Sequence, residues 1–300
     1  MIRACRFAAL MLPVLTGSAL AQSNDATNLL RGGGAPVGIP ASPSAPLSST
    51  DIASNTALSN EAMRAVGNEA TVFVVGFGKN EQGQGTRSTG SGFFIAPNLI
   101  MTNSHVVQGS STLFVFTSDR DRFEAKVIAN SGIRRQVGDV DFAVLQLPAA
   151  VGKRIVTVST KFGALDKVNA FGFPGIVQAE DRQLTDLWKS GDQRAMPTIV
   201  ASSGSVQNVM DNPVRVQVIT HSATISAGNS GGPLFDSCGR VVGVNTYVAS
   251  RTVQFVANNQ RQTVSIPQGY QWALSSGEML KFLTSRGLKV ATSEEGCRVN

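Results

Sequence analysis

The punctuation of this chain constrains its fold before any single residue does. Short runs rich in β-branched and aromatic residues recur between Gly, Pro, Asn and Asp turn signals: Thr71 to Phe77, Gly92 to Ile95, Thr112 to Phe116, Phe123 to Ile128 and Phe142 to Leu147. A second series follows, with Val168 to Phe171, Thr198 to Val206, Val214 to Thr220, Gly239 to Tyr247 and Thr252 to Val256. Many short strands with few helical patterns imply an all-β barrel or sandwich. Helical patterning is legible near Asn60 to Val66 and again at Ser275-Ser276-Gly277-Glu278, which fits a capping box. Met279, Leu280, Phe282 and Leu283 then supply an apolar face, and Gly287 a stop. In the polar insert Gln178 to Met196, Leu184, Leu187 and Trp188 are spaced for one face of a surface helix.

The chemistry is carried by Ala227-Gly228-Asn229-Ser230-Gly231-Gly232-Pro233-Leu234. A serine hydroxyl is a poor nucleophile at neutral pH, so it needs a base for its proton and fixed donors where the oxyanion forms. Without Cβ atoms, Gly228 and Gly231 let the backbone turn sharply, so that the amides of Gly228 and Ser230 converge on one point. Alone, the string also fits a glycine-rich hairpin turn, and the rest of the chain has to decide.

The chain holds two histidines, His105 and His221, so the search for a base is short. His105 ends the apolar run Leu99-Ile100-Met101 in the polar turn Thr102-Asn103-Ser104, where a side chain is fixed yet can reach a cleft. Asp139 and Asp141 both precede the apolar run Phe142 to Leu147, and a carboxylate at its mouth could hold the imidazole in the right tautomer. Position alone leaves both open; a resemblance to known peptidases, whose carboxylate stands immediately before the strand, implies Asp141 as the partner and leaves Asp139 a solvated turn residue. His221, nine positions before Ser230, reads as a structural or substrate-wall residue. The order His105, Asp141, Ser230 is that of chymotrypsin-type enzymes, unlike the orders of subtilisins and α/β-hydrolases.

Four segments together resemble the trypsin-like peptidases of bacteria, in particular the protease domain of the high-temperature-requirement (HtrA/Deg) family. They are Gly90-Ser91-Gly92-Phe93-Phe94-Ile95, Thr102-Asn103-Ser104-His105-Val106-Val107, Asp141-Phe142-Ala143-Val144-Leu145 and Gly228 to Leu234. The resemblance implies two antiparallel β-barrels of chymotrypsin type with a C-terminal helix, a peptidase domain over 58–290 and a barrel boundary near 155–165. His105 and Asp141 would come from the first barrel and Ser230 from the second, acting as base, orienting carboxylate and nucleophile through an acyl-enzyme. Gly228 and Ser230 would form the oxyanion hole, and no cofactor or metal is implied.

A substrate peptide would add as a strand beside Val244-Asn245-Thr246, with Thr224, Ser226 and Ala227 completing the primary pocket together with those three residues. None is charged, so a Lys or Arg preference is not expected. Asn245 stands where glutamate-specific relatives are expected to have a histidine, which leaves small or medium apolar side chains as the expectation. Asn229 replaces the aspartate that pairs with a new amino terminus in digestive enzymes, and no Ile/Val-Val-Gly-Gly start precedes the first strand, so activation by terminus insertion is not expected. The alternatives are a chaperone-like or binding protein of the cell envelope on the same fold, and an esterase.

Arg3 and Arg6, the apolar stretch Phe7 to Leu20 and Ala19-Leu20-Ala21 make residues 1–21 a signal peptide for export to the periplasm or beyond. That stretch is too short for a membrane span, so no stable membrane insertion is expected. Residues 22–57, rich in Gly, Ala, Pro and Ser, form a flexible leader. Loss of Cys5 with the signal leaves Cys238 and Cys297, a candidate disulfide in an exported protein. The tail 291–300 leaves no room for the PDZ domain that many relatives append, so large cages are not expected and a monomer or trimer is. The net charge of +6 drops by two with Arg3 and Arg6, which is no nucleic-acid signature, and Arg120, Arg122, Lys126, Arg134 and Arg135 read as solvated loop charges. Phosphate loop, dinucleotide fingerprint and zinc-ligand spacing are all missing from the sequence.

Overall fold

The computed structural model describes residues 55–132, 139–182, 184, 186, 195–211, 216–257 and 260–298. The expected signal segment with Cys5, nearly all of the leader, Arg134 and Arg135, and most of the 178–196 insert including Leu187 and Trp188 lie outside these residues.

Strands β1 (Thr71–Lys79), β2 (Gly85–Ala96), β3 (Leu99–Thr102), β4 (Ser110–Phe116), β5 (Arg122–Asn130) and β6 (Ala143–Gln146) close a barrel in the order β1-β2-β3-β6-β5-β4. All six pairings are antiparallel. Successive side chains point to opposite faces of a strand, and here both faces are apolar. Val72, Val74, Phe94, Ile100, Ala143 and Leu145 fill the barrel, while Phe93, Met101, Phe142 and Val144 point outward into a second cluster. These runs therefore read as continuous apolar stretches rather than alternating ones. A slip of one residue would exchange the two sets, so the register rests on the close fit of each set to its own cluster rather than on a contrast of polar and apolar faces.

The second barrel uses β8 (Lys167–Gly172), β9 (Val200–Met210), β10 (Val218–His221), β11 (Pro233–Asp236), β12 (Val241–Ala257) and β13 (Gln260–Ser275). Their order is β11-β8-β9-β10-β13-β12, and the pairing of β11 with β12 closes the ring. A short strand β7 (Val158–Ser159), in the expected boundary segment, lies parallel to β12, and β14 (Thr292–Ser293) lies parallel to β7. The structure joins two expected strands into one: Gly239 to Tyr247, apart from Gly239 and Arg240 in the preceding turn, and Thr252 to Val256 are parts of β12. Its partner β13 was not legible, because Gln, Arg and Ser crowd that stretch and pairing overrides intrinsic preference. From Ser250 to Ala257 and Gln260 to Pro267 these two strands pair, among the described residues, only with each other, as an arm beyond the ring.

The outward cluster is the seam of the molecule. Phe93, Met101, Phe142 and Val144 from the first barrel meet Phe171, Val218, Phe235, Val241 and Val244 from the second. Two helices close over it. Helix α1 (Asn60–Ala70) begins where Ser59 accepts a hydrogen bond from Ala62 N, and it buries Met63 and Val66 in the seam. The C-terminal helix, α4 (Ser276–Thr284), is capped by Ser275, whose hydroxyl accepts from Glu278 N. Its Phe282 ring lies 5.5 Å from that of Phe142, next in sequence to Asp141. The expected capping box is half made, since the Glu278 carboxylate accepts from Gln217 N instead of from the cap. Behind the second barrel the sulfurs of Cys238 and Cys297 lie 2.08 Å apart, joining the tail to the turn after β11.

Candidate active site

Antiparallel pairing sets Thr102 opposite Ala143, so the residues after β3 meet those before β6. His105 is the second residue of the short helix α2 (Ser104–Val107), and Asp141 sits two positions ahead of β6. The Asp141 carboxylate is fully buried and grips His105 twice: Oδ1 accepts from the backbone N at 3.0 Å, and Oδ2 lies 2.7 Å from ring Nδ1. A proton held on Nδ1 leaves Nε2 as the basic nitrogen. The ring itself keeps 29% of its side-chain surface open. Asp141, not Asp139, is thus the carboxylate in this couple. Asn103 braces it from below, donating from Nδ2 to Asp141 O at 2.6 Å and to Thr246 Oγ1 of the second barrel at 3.1 Å.

The loop carrying Ser230 is ordered by its carbonyls. Ala227 O accepts from Gly175 N at 2.6 Å, Gly228 O from Ser91 Oγ at 2.7 Å, Asn229 O from Gly232 N at 2.9 Å and Ser230 O from Ser91 N at 2.8 Å. Gly175 opens the helix α3 (Gly175–Glu180). Among the described residues the amides of Asn229, Gly231 and Gly232 donate within the fold, whereas those of Gly228 and Ser230 donate to nothing. Two N–H groups left over on one tight loop are donors of the kind that a developing oxyanion would need. Only glycine suits Gly228 and Gly231. Their φ angles are +98° and +84°, and an added Cβ would lie 2.4 Å from Phe173 O and 2.3 Å from Ser91 O respectively. Asn229 folds its side chain back, with Oδ1 accepting from Ser226 N at 3.0 Å, and so serves its own loop.

The half-buried Ser230 hydroxyl lies 3.5 Å from Thr246 O, and no Ser230–His105 hydrogen bond forms among the described residues. Such bonds are commonly long before substrate tightens them. Of the expected pocket residues, Thr224 and Ala227 are exposed and Ser226 half-buried. Val244 is absorbed by the seam, and Thr246 bridges to Asn103. Asn245 is fully buried and ties β12 to the nucleophile loop: its N donates to Gly232 O, its O accepts from Gly231 N, and its Nδ2 donates to Pro233 O at 2.9 Å. His221 stands behind it, fully buried; among the described residues neither ring nitrogen has a partner in good hydrogen-bond geometry, and Ala223 and the Asn245 side chain give it only weak support. Burial drives its pKa down to about 4, so the ring is neutral. Asp236, Cys238 and Cys297 are the one group of potential metal donors that converges among the described residues, and there the two sulfurs are bonded to each other.

Sequence reasoning missed Ser91, Thr102 and Asn103. Each is a polar side chain in or beside an apolar strand, and all three are buried. That mismatch was the available signal.

Residues 90–244 match the family model described as a trypsin-like peptidase domain. A probable periplasmic serine endoprotease, DegP-like, of Pseudomonas savastanoi pv. phaseolicola is 31% identical over 191 residues, covering 60% of this chain and 33% of its own. The chloroplastic Protease Do-like 1 of Arabidopsis thaliana is 36% identical over 169 residues, 55% of this chain and 34% of its own. This chain thus spans about a third of the length of these curated relatives. The crystal structure of a Mycobacterium tuberculosis protease in its active form superposes with a TM-score of 0.53 at 24% identity, covering 79% of this chain and 89% of that one, a likeness of fold.

Proposed function

From the premise that this chain belongs to the trypsin-like peptidase domain family, matched over residues 90–244 of 300, we propose that it is an exported serine endopeptidase. Ser230 attacks a peptide carbonyl while His105 Nε2 takes its proton, and His105 then returns that proton to the leaving amine. Asp141 orients the ring and stabilises its protonated form. The amides of Gly228 and Ser230 hold the oxyanion, and water releases the acyl group by the same steps in reverse. The observation that carries this reading is the pinning of four successive carbonyls, which leaves those two amides unengaged beside a histidine locked by a buried carboxylate.

Val244 and Asn245 are paired on both sides, with β11 and its preceding loop and with β13, so of the segment Val244-Asn245-Thr246 the Thr246 end is where a substrate strand would add. The uncharged pocket residues favour small or medium apolar side chains. Export is supported by the signal pattern in 1–21, by the periplasmic description of the Pseudomonas relative, and by the joined Cys238 and Cys297. A fluorophosphonate probe should label the wild type and not Ser230→Ala, with casein cleavage lost in parallel. Cleavage undiminished in Ser230→Ala would remove the assignment, and absence of both labelling and cleavage in the wild type would favour a binding protein on this fold.

A further inference from the structure

Ser91 lies in the middle of β2, on the first barrel, and makes four hydrogen bonds from a fully buried position. Its N donates to Ser230 O at 2.8 Å, and its O accepts from Thr102 Oγ1 at 2.7 Å. Its hydroxyl donates to Gly228 O at 2.7 Å and accepts from Phe173 N at 3.0 Å. Two of the four carbonyls pinned around Ser230 are therefore held by one residue, and that residue belongs to the barrel that carries the base.

We propose that the Ser91 hydroxyl is a positioning residue for the oxyanion donors, an inference that rests on the peptidase reading above. Its reach follows from the peptide planes. The Gly228 carbonyl shares a planar unit with the Asn229 amide, and it lies between the two units that carry the Gly228 and Ser230 N–H groups. Glycine at 228 has soft torsions, and its φ of +98° is one that nothing in its own side chain enforces. The restraint has to come from outside, and among the described residues the Ser91 hydroxyl is the side chain that supplies it at Gly228 O. By accepting from Phe173 N, the same oxygen also ties in the turn that leads to Gly175, whose amide fixes Ala227 O. One hydroxyl thus sets the relation between β2, the nucleophile loop and the turn after β8.

Removing the hydroxyl leaves the backbone bond to Ser230 O and the general-base couple intact, so substrate binding should persist while stabilisation of the tetrahedral state falls. In the full chain, Ser91→Ala should lower kcat by about 10- to 100-fold, the scale of a small misplacement of reacting groups, with KM within about threefold of wild type. A peptidyl boronate, which forms a tetrahedral adduct on the serine, should lose affinity for Ser91→Ala in parallel with kcat. A merely structural role would lower the unfolding midpoint and leave this split unmoved. Should Ser91→Ala fail to fold, Ser91→Cys keeps the volume and a weak donor, and should show the same split to a smaller degree. Wild-type kcat and boronate affinity in a folded variant overturn the proposal while leaving the peptidase reading standing. A wild type that neither cleaves casein nor takes a fluorophosphonate overturns that reading itself, and this proposal with it.

Discussion

Asp141 and His105 are fixed by contacts of the Asp141 side chain, whereas the loop around Ser230 is fixed through backbone carbonyls that any residue would possess. On the base side, one carboxylate satisfies both the amide and the ring of His105, and all these atoms belong to the first barrel. On the nucleophile side the restraints come from three places: Ser91 on the first barrel, Gly175 at the start of α3, and Asn245 on β12. The difference teaches that the two halves answer to different substitutions. Changing the identity of a titratable side chain breaks the first, while changing backbone shape or a distant hydroxyl breaks the second.

The largest effect expected on the base side is that of Asp141→Asn. Its amide would offer a donor toward Nδ1, forcing the proton to Nε2 and removing the base, and turnover should fall by about 10⁴-fold with little change in fold. A fluorogenic peptide assay checks this, and a variant within about tenfold of wild type would show that the couple is not the base. On the nucleophile side, Gly228→Ala places a methyl 2.4 Å from Phe173 O at a φ of +98° and must swing the amide away. Loss of one oxyanion donor corresponds to about 10²- to 10³-fold in kcat. Equal effects of the two variants on KM alone would collapse the distinction between the halves.

The same division explains what could be read in advance. The contact of His105 with Asp141 was legible because the chain has two histidines, and of the two Asp residues ahead of the apolar run the family resemblance favoured Asp141. Ser230 announced itself through glycines that only a tight loop needs. The scaffold of that loop left only a faint mark, a serine inside an apolar strand: Ser91 acts on the carbonyl oxygen of Gly228, and carbonyls leave no trace in a sequence. Strand runs showed where β1 to β6 lie, and the capping pattern located α4, yet closure into two barrels rather than a sandwich came from the family resemblance. Strand β13 escaped because its side chains are polar where it leaves the ring, so neither period nor propensity marks it.

The smallest effect on turnover, and the sharpest on stability, concerns His221. It lies within the second barrel against Asn245, whose three hydrogen bonds hold the nucleophile loop, and among the described residues neither of its ring nitrogens has a partner in good hydrogen-bond geometry. Burial lowers its pKa to about 4, against about 6.5 in an unfolded chain, so between these values the unfolded state binds the extra proton. Stability from this group is therefore complete above pH 6.5 and is lost as pH falls toward 4, reaching about 3 kcal/mol in total. His221→Leu should remove that slope, since Ile219 and Ala273 already make this interior apolar. Urea unfolding of both proteins from pH 4.5 to 8 isolates the group, because every other acid is common to the two. The variant's turnover at pH 7.5 should stay within about twofold of wild type, as expected for a residue that acts neither on the proton in flight nor on the loop's carbonyls. A slope shared by both proteins would return the pH dependence to other groups, and a large loss of turnover would move His221 from the wall of the barrel into the nucleophile half of the site.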